Sequence, residues 1–378
     1  MNILVAPNSF KNSLDATAVA EALIEGLLQS FPKANITKFP VADGGDGTAP
    51  LLMKYLNAQP ISITVQGPLG EQVTAEYGWI EPSKTAIIEM AAASGLRLIA
   101  DSARDPLHAS SFGTGELILH ALNQQAKTIL LCIGGSATVD GGSGILQALG
   151  FRFLNKDDQA ITAMPQRLEA LHKIDTSNTN VQLHNCEIKI LCDVNNYLLG
   201  NEGAAKVFGP QKGADASAVL KLENALEHFS NITLQQSGKD MRAYRHGGAA
   251  GGTAAGLAAW LNASLLNGTD EFLSITAFDD QLRLADLVIT GEGSLDEQTL
   301  QGKAPFGVAL RSQQLNIPVI GIAGKVPLQN PELQNLFNVL LSIGNEPTGL
   351  EQAMIDTKAN LIRTGRNIGA LLAIGKNL

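Results

Sequence analysis

Cysteine is scarce in this chain: Cys132, Cys186 and Cys192 are the only three in 378 residues. The number is odd and no CxxC pair occurs, which argues against a disulfide framework and against a cysteine-rich zinc site. Aromatic residues make up only 5%, leaving little material for base-stacking platforms. Basic residues are outnumbered, with 27 Lys plus Arg against 36 Asp plus Glu, for a formal net charge of −9. Such an acidic chain is poorly suited to wrapping nucleic acid or coating an anionic membrane. No apolar run approaches the roughly 18 residues needed to span a bilayer. The opening residues Met1–Pro7 have no basic start and no cleavable apolar run, and read as a strand rather than a signal peptide. The expectation is a reduced, cytoplasmic protein with no nucleic-acid and no membrane partner.

Several short motifs are missing as well. There is no GxxxxGK[ST] and no GxGxxG after a strand, so an ordinary P-loop and an ordinary dinucleotide fingerprint are absent. The six histidines include no HExxH and no paired ligand spacing, and no GxSxG elbow appears.

What remains is rich in apolar residues, 45%, with 17% charged, so a large core can form and global disorder is excluded. The length suggests two or three domains. Short β-branched runs alternate with amphipathic segments, which predicts βα units and a parallel sheet. At the start, strands are expected at Ile3–Ala6 and Ile36–Val41, with helices at Asp15–Leu28 and Gly47–Leu56. At the end, strands are expected at Leu287–Thr290, Val319–Ile322 and Val339–Ser342, with helices at Ala304–Gln314, Pro331–Phe337 and Ala353–Leu372. Two strands from one end and three from the other make a flavodoxin-like doubly wound sheet of order 2-1-3-4-5. The predicted organisation is therefore α/β with two domains. Residues 1–60 plus 280–378 form a discontinuous flavodoxin-like domain, and 61–279 form an inserted α/β domain. The inserted part carries strands at Ile61–Gln66, Thr85–Met90, Thr128–Ile133 and Glu187–Cys192. The active site is expected in the cleft between the two.

Glycine is abundant, with 38 residues, and loops are expected to hold the excess because Gly weakens helix and strand interiors. Ligands of open α/β sheets bind beyond the carboxyl ends of the strands. The predicted strands end in polar, Gly-containing turns: Pro7–Ser13, Ala42–Thr48, Gly291–Asp296 and Ala323–Lys325. The middle of the chain adds Ser110–Leu117, Gly134–Gly144 and Gly247–Gly256, each joining small or hydroxyl residues to a predicted helix start. Free N–H groups at such starts bind anions. In Gly134–Gly144, the residues Ser136, Thr138 and Asp140 among Gly134, Gly135, Gly141 and Gly142 favour a phosphate cradle. For Gly247–Gly256, close helix contact and anion binding stand level.

Phosphoryl transfer needs Mg²⁺ ligands, cations for the phosphates and often a carboxylate to take a proton. Carboxylates at strand ends are Asp43, Asp46, Asp193, Glu292 and Asp296, and cations are Lys11, Lys303 and Lys325. Asp193 follows a wholly apolar run, a common place for a functional acid; an Asx turn with Asn195 is its plain alternative. Lys11, beside Ser9 and Ser13, suits an anion. Arg104 precedes the Ser110–Thr114 turn, where a carboxylate or phosphate could bind.

At these residues the chain resembles the bacterial glycerate kinase family, the one with a flavodoxin-like domain and a second α/β domain. The motifs that carry the resemblance are Ala6–Lys11, Pro40–Thr48, Gly113–Ile118, Gly134–Gly142, Gly251–Ala254 and Ile289–Asp296, followed by Gln298-Thr299 and Gly302–Pro305. They run in order over nearly the whole chain. Asn8 and Asn12 stand where Asp and Gly are expected, and Asp46 where Glu is usual. The resemblance implies ATP-dependent phosphorylation of D-glycerate with Mg²⁺, with 2-phosphoglycerate favoured over 3-phosphoglycerate.

Residue type and position then suggest the following roles. Gly134, Gly135, Ser136, Thr138, Asp140, Gly141 and Gly142, together with Gly291, Glu292, Gly293 and Lys303, hold ATP. Asp193, Lys11, Asp43 and Asp296 are catalytic, with Asp193 the base or a metal ligand and Asp296 a second metal ligand. Ser9, Arg104, Ser110, Ser111 and Thr114 hold the glycerate. Rival readings are a nucleotide-dependent oxidoreductase, a non-catalytic sensor or binding protein for small anions, and a kinase for a related hydroxy acid. A homo-oligomer is left open.

Overall fold

The computed structural model describes residues 1–375 other than Ala163 and Gln298. The chain divides into two compact units, Met1–Asp43 with Thr269–Leu378, and Gly44–Gly268. Residues 44–60 thus fall in the inserted unit, and residues 269–279 in the discontinuous one, each on the other side of the boundary drawn from sequence. Among the described residues, no helix is long and apolar enough to cross a membrane.

The discontinuous unit is built on five parallel strands: Asn2–Val5, Asn35–Lys38, Leu287–Ser294, Val319–Lys325 and Val339–Ser342. Numbered along the chain, they lie in the order 2-1-3-4-5, the flavodoxin-like arrangement predicted. The first strand is central and wholly apolar after Asn2, as a strand covered on both faces must be. The helix Ala16–Ser30 begins where Asp15 Oδ1 accepts the Ala18 N–H at 2.8 Å. Its apolar residues Val19, Leu23 and Leu27 recur at helical spacing and are buried.

This helix lies close against the last helix, Thr357–Gly375. A methyl group at Gly26 would sit 1.9 Å from the Ile362 carbonyl oxygen, and one at Gly365 would sit 2.4 Å from that of Leu23. Loops therefore do not hold all of the glycine excess. Part of it lies within helices, where the missing side chain lets two backbones meet.

The inserted unit holds a six-stranded sheet in the order Ser264–Asn267, Glu187–Cys192, Thr128–Cys132, Thr85–Glu89, Gln72–Ile80, Gln59–Gln66. The first four are mutually parallel, and the last two run antiparallel. Its core gathers Tyr77, Phe153, Phe229 and the apolar residues of the central strands. The helix Ala216–Ser237 starts at Asp215, whose Oδ1 accepts the Ala218 N–H, and stops at Gly238 with φ 72°. This helix and the strands Gln72–Ile80 and Ser264–Asn267 carry no sequence-based expectation above.

Candidate active site

In the discontinuous unit, the carboxyl ends of the strands converge on one carboxylate. Glu292 lies within the strand Leu287–Ser294 and is buried. Thr299 Oγ1 donates to its Oε1 at 2.9 Å, and Lys303 Nζ stands 3.9 Å away. Burial pushes the Glu292 carboxyl up to about 7; Lys303 pulls it back, and the charges of Asp43 and Asp296 add to the rise. Asp43 accepts a hydrogen bond from Asn8 Nδ2 at 3.0 Å. That bond needs an amide at position 8, because two carboxylates there would repel.

Ser294 Oγ donates to Asp296 Oδ2 at 3.1 Å. Gly291 has no room for a side chain, since a Cβ would meet the Ile322 carbonyl oxygen at 1.9 Å. Gly293 runs beside Phe10 and Lys11. Lys303 also stands at the N-cap position of the helix Ala304–Gln314 without a side-chain capping bond, and Pro305 occupies the first turn. Lys11 is exposed at the tip of its turn, next to Asn12 with φ 64°, and Ser9 is half-buried there. This edge therefore carries Ser9, Lys11, Asp43, Gly291, Glu292, Gly293, Asp296 and Lys303. Gln298 lies outside the described residues.

In the inserted unit, the segment Gly134–Gly144 follows the strand Thr128–Cys132. Asp140 is fully buried and organises it. Its carboxylate accepts from the Ser111 N–H at 2.8 Å, Ser111 Oγ at 2.7 Å, the Gly142 N–H at 3.0 Å and the Gly144 N–H at 3.3 Å. Burial raises the Asp140 pKa and these four donors pull it back. Ser111 Oγ also accepts the Ile145 N–H at 3.1 Å.

Thr114 is buried and pairs with Ser94 Oγ at 2.8 Å, and Ser110 Oγ accepts the Phe112 N–H at 3.2 Å. The hydroxyls of Ser111 and Thr114, read from sequence as substrate ligands, are thus committed to the protein itself. So is the carboxylate of Asp140. Arg104 donates to Asp101 and to the Gln211 carbonyl. Asp193 is exposed just past the strand Glu187–Cys192.

Three residues that the sequence reading passed over complete this edge. Lys212, in the turn Pro210–Lys212, is 4% exposed, and its ammonium donates to Ser136 Oγ at 2.9 Å and to the Thr138 carbonyl at 2.7 Å. Burial pulls its pKa down to about 7, against the opposing effect of the Asp140 and Asp193 charges. Glu89 ends the strand Thr85–Glu89 and is 4% exposed. Its Oε2 accepts the N–H groups of Gly47 and Ala49, both at 3.1 Å, at the start of the helix Thr48–Tyr55.

Arg97 is exposed and stands 3.5 Å from Asp46 and 3.9 Å from Glu89. It is carried by a segment tied to the glycine loop: the Leu96 N–H donates to the Gly135 carbonyl, and the Ala137 N–H to that of Ser94. Glu89 had a sequence signal, a charge at the tip of an apolar strand. Lys212 had only a Gly-Pro turn around it.

Among the described residues, no group of three or more His, Cys, Asp or Glu side chains is placed to hold a metal by itself. Such a cage is not required for Mg²⁺, which commonly takes one or two carboxylates and completes its shell with substrate phosphates and water. Single carboxylates at strand ends, Asp193 and Asp296, fit that pattern.

The model of the glycerate kinase family matches residues 3–373. A glycerate kinase of Bacillus cereus is 44% identical over 375 residues, covering 99% of this chain and 98% of the relative. A glycerate 2-kinase of Escherichia coli is 41% identical, covering 99% of both. The crystal structure of a protein assigned as glycerate kinase 2 from Salmonella typhimurium LT2 superposes with a TM-score of 0.84 at 41% identity, covering 100% of both chains.

Proposed function

The chain belongs to the glycerate kinase family, and from that premise we propose that it converts D-glycerate and ATP to 2-phosphoglycerate and ADP with Mg²⁺. It is a kinase, and the family reaction is ATP-dependent phosphorylation of glycerate. The observation that carries the choice of the 2-position is the full-length similarity to the glycerate 2-kinase of Escherichia coli. Cytoplasm is the setting this reaction implies, because ATP is made and used there.

Phosphoryl transfer asks the protein mainly for positioning and for charge opposite the phosphates. The backbone of Gly134–Gly144 is our candidate cradle, held in shape by Asp140 from within and by Lys212 from outside. Lys303, at the start of the helix Ala304–Gln314, and the exposed Lys11 are candidate cations for phosphate oxygens. Asp193 or Asp296 would give a carboxylate to Mg²⁺, which would neutralise phosphate charge when bound.

The test is a coupled assay with ATP, Mg²⁺ and D-glycerate. Purified enolase, without phosphoglycerate mutase, converts only 2-phosphoglycerate to phosphoenolpyruvate. A phosphoenolpyruvate signal is expected. Glycerate-dependent ADP without it would move the product to the 3-position, and absence of glycerate-dependent ADP would remove the proposal.

A further inference from the structure

Among the described residues, Glu89 is one of few buried side chains with an unused polar atom. Its Oε2 is satisfied by two backbone N–H groups, whereas Oε1 is buried with no donor in hydrogen-bond geometry, and the Asp46 carboxyl lies close enough to the group to share a proton with it. An orphaned buried carboxylate oxygen is costly unless something binds there. The titratable and charged groups facing Glu89 are Asp46, Arg97 and the buried thiol of Cys132. Arg97 presents an exposed guanidinium 3.9 Å from that same Oε1. Both of its ion pairs, at 3.5 and 3.9 Å, are longer than a charge-assisted hydrogen bond, so its donors have capacity for another anion.

The geometry points to a hydroxy-acid subsite made by Arg97 and Glu89: Arg97 takes the substrate carboxylate, and Glu89 Oε1 takes the proton of the adjacent hydroxyl. This rests on the glycerate kinase reading and assigns the acid to particular residues. The two groups are close enough for an acid whose carboxylate and reacting hydroxyl sit on neighbouring carbons.

The step balances. The hydroxyl O–H bond breaks and its proton goes to Glu89. The freed oxygen pair forms the bond to the γ-phosphorus. The phosphorus bond to the bridging oxygen breaks, and its electron pair leaves with ADP. Burial, together with the neighbouring Asp46 carboxylate, holds the Glu89 pKa well above the ordinary carboxylate range, which suits a proton acceptor at neutral pH. Gly134 lies against Gly45 and Asp46, and Gly135 against Asp46, so the candidate phosphate cradle and this subsite share a border.

The experiment starts with the wild-type protein, ATP, Mg²⁺ and D-glycerate. If glycerate-dependent ADP is absent, the family reading fails and the subsite is not in question. If it is present, two variants test the subsite. Glu89→Gln keeps an oxygen for the N–H groups of Gly47 and Ala49 but cannot accept the proton. It is expected to lower kcat by about 100-fold or more. The ATP KM should be unchanged and the acid limb of the pH–rate profile lost. Arg97→Met, at an exposed position, is expected to raise the glycerate KM about tenfold or more with the ATP KM unchanged, and Arg97→Lys to restore part of it. Glu89→Gln with near-normal kcat and the wild-type pH profile would overturn the proton acceptor. Should that variant not fold, Arg97→Met with an unchanged glycerate KM would overturn the subsite on its own.

Discussion

Lys212 Nζ donates to Ser136 Oγ at 2.9 Å, so one buried amine fixes the first half of the Gly134–Gly144 loop from a turn far along the chain. Lys212→Met removes that bond and the one to the Thr138 carbonyl. Two polar groups are then left without their partner, each costing about 1–3 kcal/mol. We expect kcat/KM for ATP to fall about 100-fold as the loop shifts. The amine titrates at about 7 in the folded chain and at 10.5 when free. The folded state therefore binds fewer protons across that window, and its stability rises with pH there. Thermal melts of wild type against Lys212→Met should shift in favour of wild type from about pH 7 to about pH 10.5.

Asp140 is fully buried and accepts four hydrogen bonds inside the protein. Asp140→Asn presents an NH₂ to N–H donors. A destabilisation of about 2–4 kcal/mol is expected, read from denaturant midpoints at constant slope. Ser111→Ala should cost less, because the Ser111 N–H still reaches the carboxylate.

Gly134→Ala tests the contact between the loop and residues 44–47. The new methyl would stand 2.4 Å from the Gly45 backbone carbon, with no flexible side chain to yield. Overpacking against backbone typically costs about 1–3 kcal/mol. A matching loss of activity is expected, larger than for Gly200→Ala, a position with open space but positive φ.

The five-stranded sheet and its order were legible because its strands are short, apolar and bounded by polar turns, and because both chain ends repeat the pattern. The helix Ala304–Gln314 and the strands Val339–Ser342 and Glu187–Cys192 match the residues read from sequence end to end. The strand Gln72–Ile80 was missed because its alternation is broken by the run Tyr77–Ile80. The site was half legible. Carboxylates at strand tips can be read from sequence, but the use of Ser111 and Asp140 on each other cannot, since their partners lie 29 residues apart. Lys212 was invisible for the same reason: its partners are 74 and 76 residues away.

Asp193→Asn separates binding from turnover. The residue is exposed at the carboxyl end of its strand, so the amide should not disturb the fold. On its proposed role as an anionic ligand for Mg²⁺, the change should lower turnover by about 100-fold or more while ATP binding persists. Melting temperatures with and without ATP, beside kcat, check this. Near-normal turnover would take Asp193 out of the reaction.

Glu292 gives a stability signal of the opposite sign to Lys212. Its folded pKa is raised to about 7 from 4.5, chiefly by burial. The folded state holds the proton more tightly than the unfolded chain. The resulting stability is complete below about pH 4.5 and is lost as pH climbs through about 7. Glu292→Gln keeps the shape and an acceptor for Thr299 but has nothing to ionise. The variant should lose ground to wild type at pH 5 and regain it by pH 8, seen as a change in the difference between their melting temperatures. Lys303 opposes the rise, so Lys303→Met should steepen the loss of stability between those two pH values in a protein that keeps Glu292. A difference that stays flat across that range would mean that the buried carboxylate gains water when it ionises.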